Sequence, residues 1–230
     1  MIQFSWKLCK WKLFVTFTNK IFMKSTICRA FEFLLLFVLI PISFVFNYVI
    51  WIKLGDGLIG FLYVSFVLFV VEKNKFKVSK NINWLSFWRV TFIKFLVIAF
   101  VTSFLVYYNN EYLLFKVVYN KPMLWFFILV IYSFLSVYPQ ELIYRKFYFQ
   151  RYKDLFKSKY LLIISNAFVF TLAHIFFRNY LVMLLTFIGG ILFSLTYFKT
   201  KSTLLVSIEH AIYGCWLFTL GIGGMLGFPS

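Results

Sequence analysis

Seven stretches of this chain are each apolar over close to the length needed to cross a bilayer as helix, about 20 residues. They fall at 31–51, 55–71, 90–108, 122–149, 160–177, 180–198 and 202–220. In hydrocarbon a spanning segment must close its own backbone hydrogen bonds, and a helix does so. The expected fold is therefore all-α: a polytopic membrane bundle of about seven transmembrane helices. Composition agrees, since 63% of residues are hydrophobic and 24% aromatic, which excludes an ordinary soluble domain.

A formal charge of +17 would suggest a nucleic-acid partner in a soluble protein. Here the cations lie in the short gaps between apolar stretches, not on a polar face, so no nucleic-acid partner is expected. With the N-terminus in the cytoplasm, the inner segments carry six Lys/Arg before the first stretch, five in 72–91, six in 140–159, and Lys199 and Lys201. Lys94 makes twenty, against Lys53, Lys116, Lys121 and Arg178 outside. That asymmetry is the positive-inside pattern and predicts a cytoplasmic N-terminus. No cleavable leader is expected, because six cations precede the first apolar run. Glu32 and Lys94 lie near segment ends, where snorkelling to the interface is expected. Trp51 is expected in the outer aromatic belt. Trp84, Leu85 and Trp88 share a face, which predicts that 82–90 lies along the inner surface. Cys9, Cys28 and Cys215 form neither a paired set nor a zinc-spaced one.

Ionisable groups inside apolar segments are expensive and mark function. Three constellations stand out. In Gln140-Glu141-Leu142-Ile143-Tyr144-Arg145, Glu141 and Arg145 are four apart and share a helical face; the bland reading is a helix-end salt bridge. Phe170-x-x-x-His174 lies deep in the fifth stretch, where an imidazole either bonds a carbonyl or accepts a proton. Glu209-His210-Ala211-Ile212-Tyr213-Gly214 begins about two turns into the seventh, with Glu209 and His210 pointing about 100° apart. Three helices giving Glu141, His174 and His210 are placed to border one cavity, reached from the cytoplasm.

These motifs resemble the CAAX prenyl protease type II family of intramembrane proteases, also called CPBP or Abi. Its signature is similar to Glu-Glu-x-x-x-Arg, Phe-x-x-x-His and His-x-x-x-Asn on successive membrane helices. The resemblance covers about 136–216. Gln140 stands where the family has the first Glu, and Gly214 where it has Asn. It implies a membrane-embedded endopeptidase with Glu141, His174 and His210 catalytic, and Arg145, Gln140, Glu209, Phe170 and Gly214 supporting. Glu141 with His174 would deprotonate water and His210 would stabilise the oxyanion; Glu209 is an alternative acid. No cofactor is required on this reading; a divalent metal such as zinc would sit on Glu141, His174 and His210.

The organisation expected is a basic cytoplasmic segment 1–30, transmembrane helices over 31–108 with the inner-surface segment 72–90, a CPBP-like protease domain 122–220 and a Gly-rich tail 221–230. The partners expected are the lipid bilayer and a membrane protein or peptide substrate, and the location a bacterial inner membrane. The alternative is a catalytically degraded membrane scaffold of the bacteriocin self-immunity type, which Gln140 and Gly214 would suit. A small transporter would need broken helices or inverted repeats near the midplane.

Overall fold

The computed structural model describes residues 25–74 and 82–223, and every regular element among them is helical. The basic segment before Ser25, part of the 72–90 connection and the glycine-rich end beyond Gly223 lie outside the described residues. Among the described residues, seven helices are long and apolar enough to cross a membrane: α1 (Thr26–Ser43), α2 (Ile50–Val71), α3 (Trp84–Leu113), α4 (Pro122–Arg151), α5 (Lys159–Phe177), α6 (Tyr180–Thr200) and α7 (Thr203–Leu220).

Small polar residues set the helix starts. The side chains of Ser25, Asn83, Ser158, Asn179 and Ser202 each accept a backbone N–H from the first turn that follows. Such caps satisfy donors that no helical carbonyl can reach. Two expectations change as a result. The first span begins at Thr26 and ends at Ser43, which puts Trp51 in the first turn of α2. The surface segment expected over 82–90 is instead the start of an unbroken α-helix from Trp84 to Asn110, capped by Asn83 at 2.9 Å from the Ser86 nitrogen.

Four turns are wound wider than an α-helix: Leu35–Leu39, Val67–Val71, Tyr132–Val137 and Leu142–Phe147. Pro41 and Pro139 directly follow two of them. Proline lacks an N–H, and its ring clashes with the carbonyl four residues back. A wider turn gives that ring room, and π turns often fall at functional sites. In α4 they flank Tyr138–Glu141 on both sides.

The buried charges hold the helices together instead of reaching for the interface. Glu32 does not snorkel. It accepts from Arg151 Nη2 at 2.7 Å and Nε at 3.0 Å, and from the hydroxyls of Tyr152 at 2.8 Å and Tyr63 at 3.1 Å. Arg151 also donates to Glu72 at 2.8 Å, so one cluster fastens α1, α2 and α4. Burial, and then the Glu32 carboxylate, hold the Tyr152 phenol above its ordinary pKa, so it remains a donor. Lys94 also turns inward, donating to Glu209 at 2.9 Å and Thr196 at 3.2 Å, which ties α3 to α6 and α7. The closest helix pair is α5 with α6. A Cβ at Gly190 would come within 2.9 Å of the Ala167 Cα, so the missing side chain lets the backbones approach.

Candidate active site

On α4, Tyr132, Ser136 and Gln140 recur every fourth residue and face the same cavity. On α5, Phe170 and His174 face it; on α7, His210 and Gly214 do, again four apart. The cavity holds about 330 Å³, and its remaining walls are mostly apolar, from α3, α6 and α7. Its lining includes Phe177, Val182 and Thr186 beside the α5–α6 turn, and Phe218 and Ile222 at the far end of α7. It therefore occupies the half of the bundle away from the connections 152–158 and 201–202. If those two connections, which carry cations assigned to the inner side, are cytoplasmic, the cavity lies in the outer half of the bundle and not on the cytoplasmic side.

Gln140 Nε2 donates to Ser136 Oγ at 2.7 Å, while its Oε1 is buried without a partner. A buried amide oxygen without a partner is an unused acceptor. Glu141, one position on, turns away from the cavity and is fully buried. Its Oε1 lies 2.7 Å from His210 Nδ1 and its Oε2 3.3 Å from Arg145 Nε. Arg145 is equally buried; its Nη1 donates to Asn166 Oδ1 at 2.8 Å, and its guanidinium stacks on the Phe170 ring at 4.8 Å. Asn166 in turn donates to the Tyr144 carbonyl at 2.7 Å and accepts from Ser194 Oγ at 2.8 Å. This polar web fixes the carboxylate from behind.

The two imidazoles are oriented by different acceptors. His210 Nδ1 meets the Glu141 carboxylate, and its Nε2 lies 3.1 Å from the Tyr132 hydroxyl. The Phe193 ring stacks on His210 with centroids 4.4 Å apart. His174 Nδ1 lies 2.7 Å from the Phe170 carbonyl. A carbonyl and a carboxylate only accept, so on both neutral rings the proton is assigned to Nδ1 and the lone pair to Nε2. His174 is not deep in a helix as expected: α-helical winding stops at Leu172 and a single tighter turn, Ile175–Phe177, completes α5. Arg178, in the left-handed region at φ 52°, then reverses the chain into α6.

The structure thus gathers Gln140, Phe170, His174, His210 and Gly214 around one space, with Glu141 and Arg145 behind His210. Glu209 stands apart, fully buried and bound to Lys94 and to the Tyr213 hydroxyl at 3.0 Å, so it cannot supply an acid to the cavity. Glu141 does not pair with His174 either, because its oxygens are taken by His210 and Arg145. For the same reason the three-ligand metal set does not form: among the described residues no three His, Cys, Asp or Glu side chains gather as metal ligands. Tyr132, Ser136 and Asn166 escaped the sequence reading. The four-residue spacing of 132, 136 and 140, and of 166, 170 and 174, was the signal that places them on the functional faces.

Residues 122–216, from the start of α4 into α7, match the family model described as type II CAAX prenyl endopeptidase, Rce1-like. Over this stretch the chain is similar to that family. No curated protein and no solved structure matches the chain significantly. The matched stretch contains Gln140, Glu141, His174, His210 and Gly214, and leaves α1 to α3 outside it. The protein is an integral, multi-pass membrane protein whose α4–α7 portion is similar to a protease family.

Proposed function

We propose that this protein is a membrane-embedded endopeptidase in which His210, backed by Glu141, activates the water that attacks a peptide bond. The observation that carries the reading is the 2.7 Å contact between Glu141 Oε1 and His210 Nδ1, with His210 Nε2 turned toward the cavity side. A buried carboxylate on Nδ1–H holds the imidazole in one tautomer and stabilises the imidazolium that forms on proton uptake. His174 has only a neutral carbonyl in that place, which offers no counter-charge, so it is assigned to positioning water or the scissile amide. Gln140 has no proton-accepting power; it lines the cavity and is assigned to positioning the substrate backbone or the water. Arg145, locked by Asn166 and Phe170, keeps Glu141 aimed. No step requires a metal. The substrate is an apolar segment of a membrane protein or peptide, matching walls such as Leu185, Ile188 and Leu217. Its setting is the bilayer of a bacterial inner membrane, with no nucleic-acid partner.

The test is cleavage of a membrane-peptide reporter by purified protein. Glu141→Gln is expected to lower kcat by roughly 10³-fold or more, as loss of the carboxylate does in comparable dyads. Gln140→Ala should stay within about tenfold of the parent, since a positioning group contributes less than the base. Full activity in Glu141→Gln would sink the dyad. Cleavage seen solely after Gln140→Glu would instead assign the native chain to the scaffold class.

A further inference from the structure

Gly214 lies one helical turn beyond His210, on the face that lines the cavity, and the space its side chain would fill is already taken. A Cβ built there would fall on the Tyr132 hydroxyl and on the ring carbons beside it. No side chain at 214 can coexist with Tyr132 in this position. Tyr132 comes from α4, within its wide turn Tyr132–Val137, and its ring is seated edge-on against Phe218 with centroids 4.7 Å apart. Its hydroxyl ends 3.1 Å from His210 Nε2. The α4 backbone and the bare α7 backbone at Gly214 thus deliver a phenolic O–H to the atom assigned as the base.

We infer that Tyr132 is a catalytic residue, the oxyanion donor of this site, and that Gly214 exists to admit it. This rests on the peptidase reading above. In the resting site the neutral Nε2 carries a lone pair, so the Tyr132 O–H donates to it. When water enters between base and substrate, Nε2 takes one water proton while the water oxygen bonds to the scissile carbonyl carbon. The carbonyl π pair moves onto its oxygen, and the displaced Tyr132 O–H turns to donate to that oxyanion without giving up its proton. Collapse restores the C=O bond and breaks C–N, and the proton on His210 Nε2 passes to the leaving amine. Donor and base must both reach one reacting centre for this sequence, and the contact sets the Tyr132 hydroxyl and His210 Nε2 side by side at 3.1 Å. His174 and Gln140 also line the cavity, but the Nδ1–H of His174 is spent on the Phe170 carbonyl, and Gln140, which gives one of its two amide N–H groups to Ser136, makes no contact with His210 Nε2 as the Tyr132 hydroxyl does.

The experiment measures kcat, KM and thermal melting of the full chain in detergent with the same reporter. Tyr132→Phe keeps the ring and deletes the donor; kcat should fall about 10²-fold, with KM within about twofold and the melting temperature unchanged. Gly214→Ala pushes the hydroxyl off its position and should lower kcat to a similar degree. The double variant should lose little more than either single one, because both remove the same interaction. Undiminished kcat in Tyr132→Phe, or losses that add fully in the double variant, would overturn the assignment while leaving the peptidase reading intact. A parent protein that cleaves nothing would overturn both.

Discussion

The residue that best explains the others is Asn166. It lies at the centre of the buried web, accepting from Arg145 and Ser194 and donating to the Tyr144 carbonyl. Each of those groups is sealed from water; Arg145 also faces Glu141 and Ser194 also donates to the Gly190 carbonyl, and the Asn166 amide is the group that links them. Leaving a buried donor or acceptor unmatched costs about 1–3 kcal/mol. Asn166→Leu should therefore destabilise the bundle by about 2 kcal/mol or more, read as a lower melting temperature in detergent. It should also loosen Glu141 through Arg145. Asn166→Asp, which keeps the acceptor for Arg145, should retain more stability than the Leu variant. The same scale shows why adjacent residues differ in role: Gln140 faces the cavity while Glu141 faces His210, because side chains one apart on a helix diverge by about 100°. Which of the two faced inward depended on the wide turns around them.

Among the elements, α1, α2 and α4 are joined by Glu32, Glu72, Arg151, Tyr63 and Tyr152 at one end of the bundle. A buried ion pair is weak evidence of net stabilisation, since removing both charges from water is costly. Removing one partner is a different matter, for it strands the other. Arg151→Leu leaves Glu32 buried with only tyrosine donors and should destabilise by about 3–5 kcal/mol. Denaturant or thermal unfolding of the purified chain measures this. A double Arg151→Leu, Glu32→Met replacement should recover much of the loss, since only the partly exposed Glu72 is then left without Arg151. The cluster lies on the end of α4 opposite Tyr132, so these variants act on the frame of the site and not on its chemistry.

For the molecule as a whole, the division of cations is the governing field. If twenty of the 24 Lys/Arg mark the inner side, the loop 152–158 is cytoplasmic and the cavity lies in the outer half. Single cysteines in a Cys-free background should then report opposite sides in intact cells. Lys157→Cys should resist a membrane-impermeant maleimide until the membrane is opened. Thr186→Cys, on the cavity wall, should react from outside. The reverse pattern would invert the topology and return the cavity to the cytoplasmic side.

Hydrophobic length alone determined that the chain forms membrane-spanning helices, since about 20 apolar residues have no other stable use and the seven runs are all present in the structure. The residues of the site were legible as well, because polar groups in hydrocarbon stand out whatever their neighbours are: Gln140, Glu141, His174 and His210 needed no coordinates to be noticed. What they touch was not legible. Helical periodicity assumes 3.6 residues per turn, and the wide turns in α4 break that phase on both sides of Gln140–Glu141. Partners such as Lys94 with Glu209, or Tyr132 with His210, lie 115 and 78 residues apart, so no local rule links them. Only the packing of α3, α4 and α7 against one another decided that Glu141 serves His210, that Glu209 serves Lys94, and that an absent side chain at 214 makes room for a tyrosine hydroxyl.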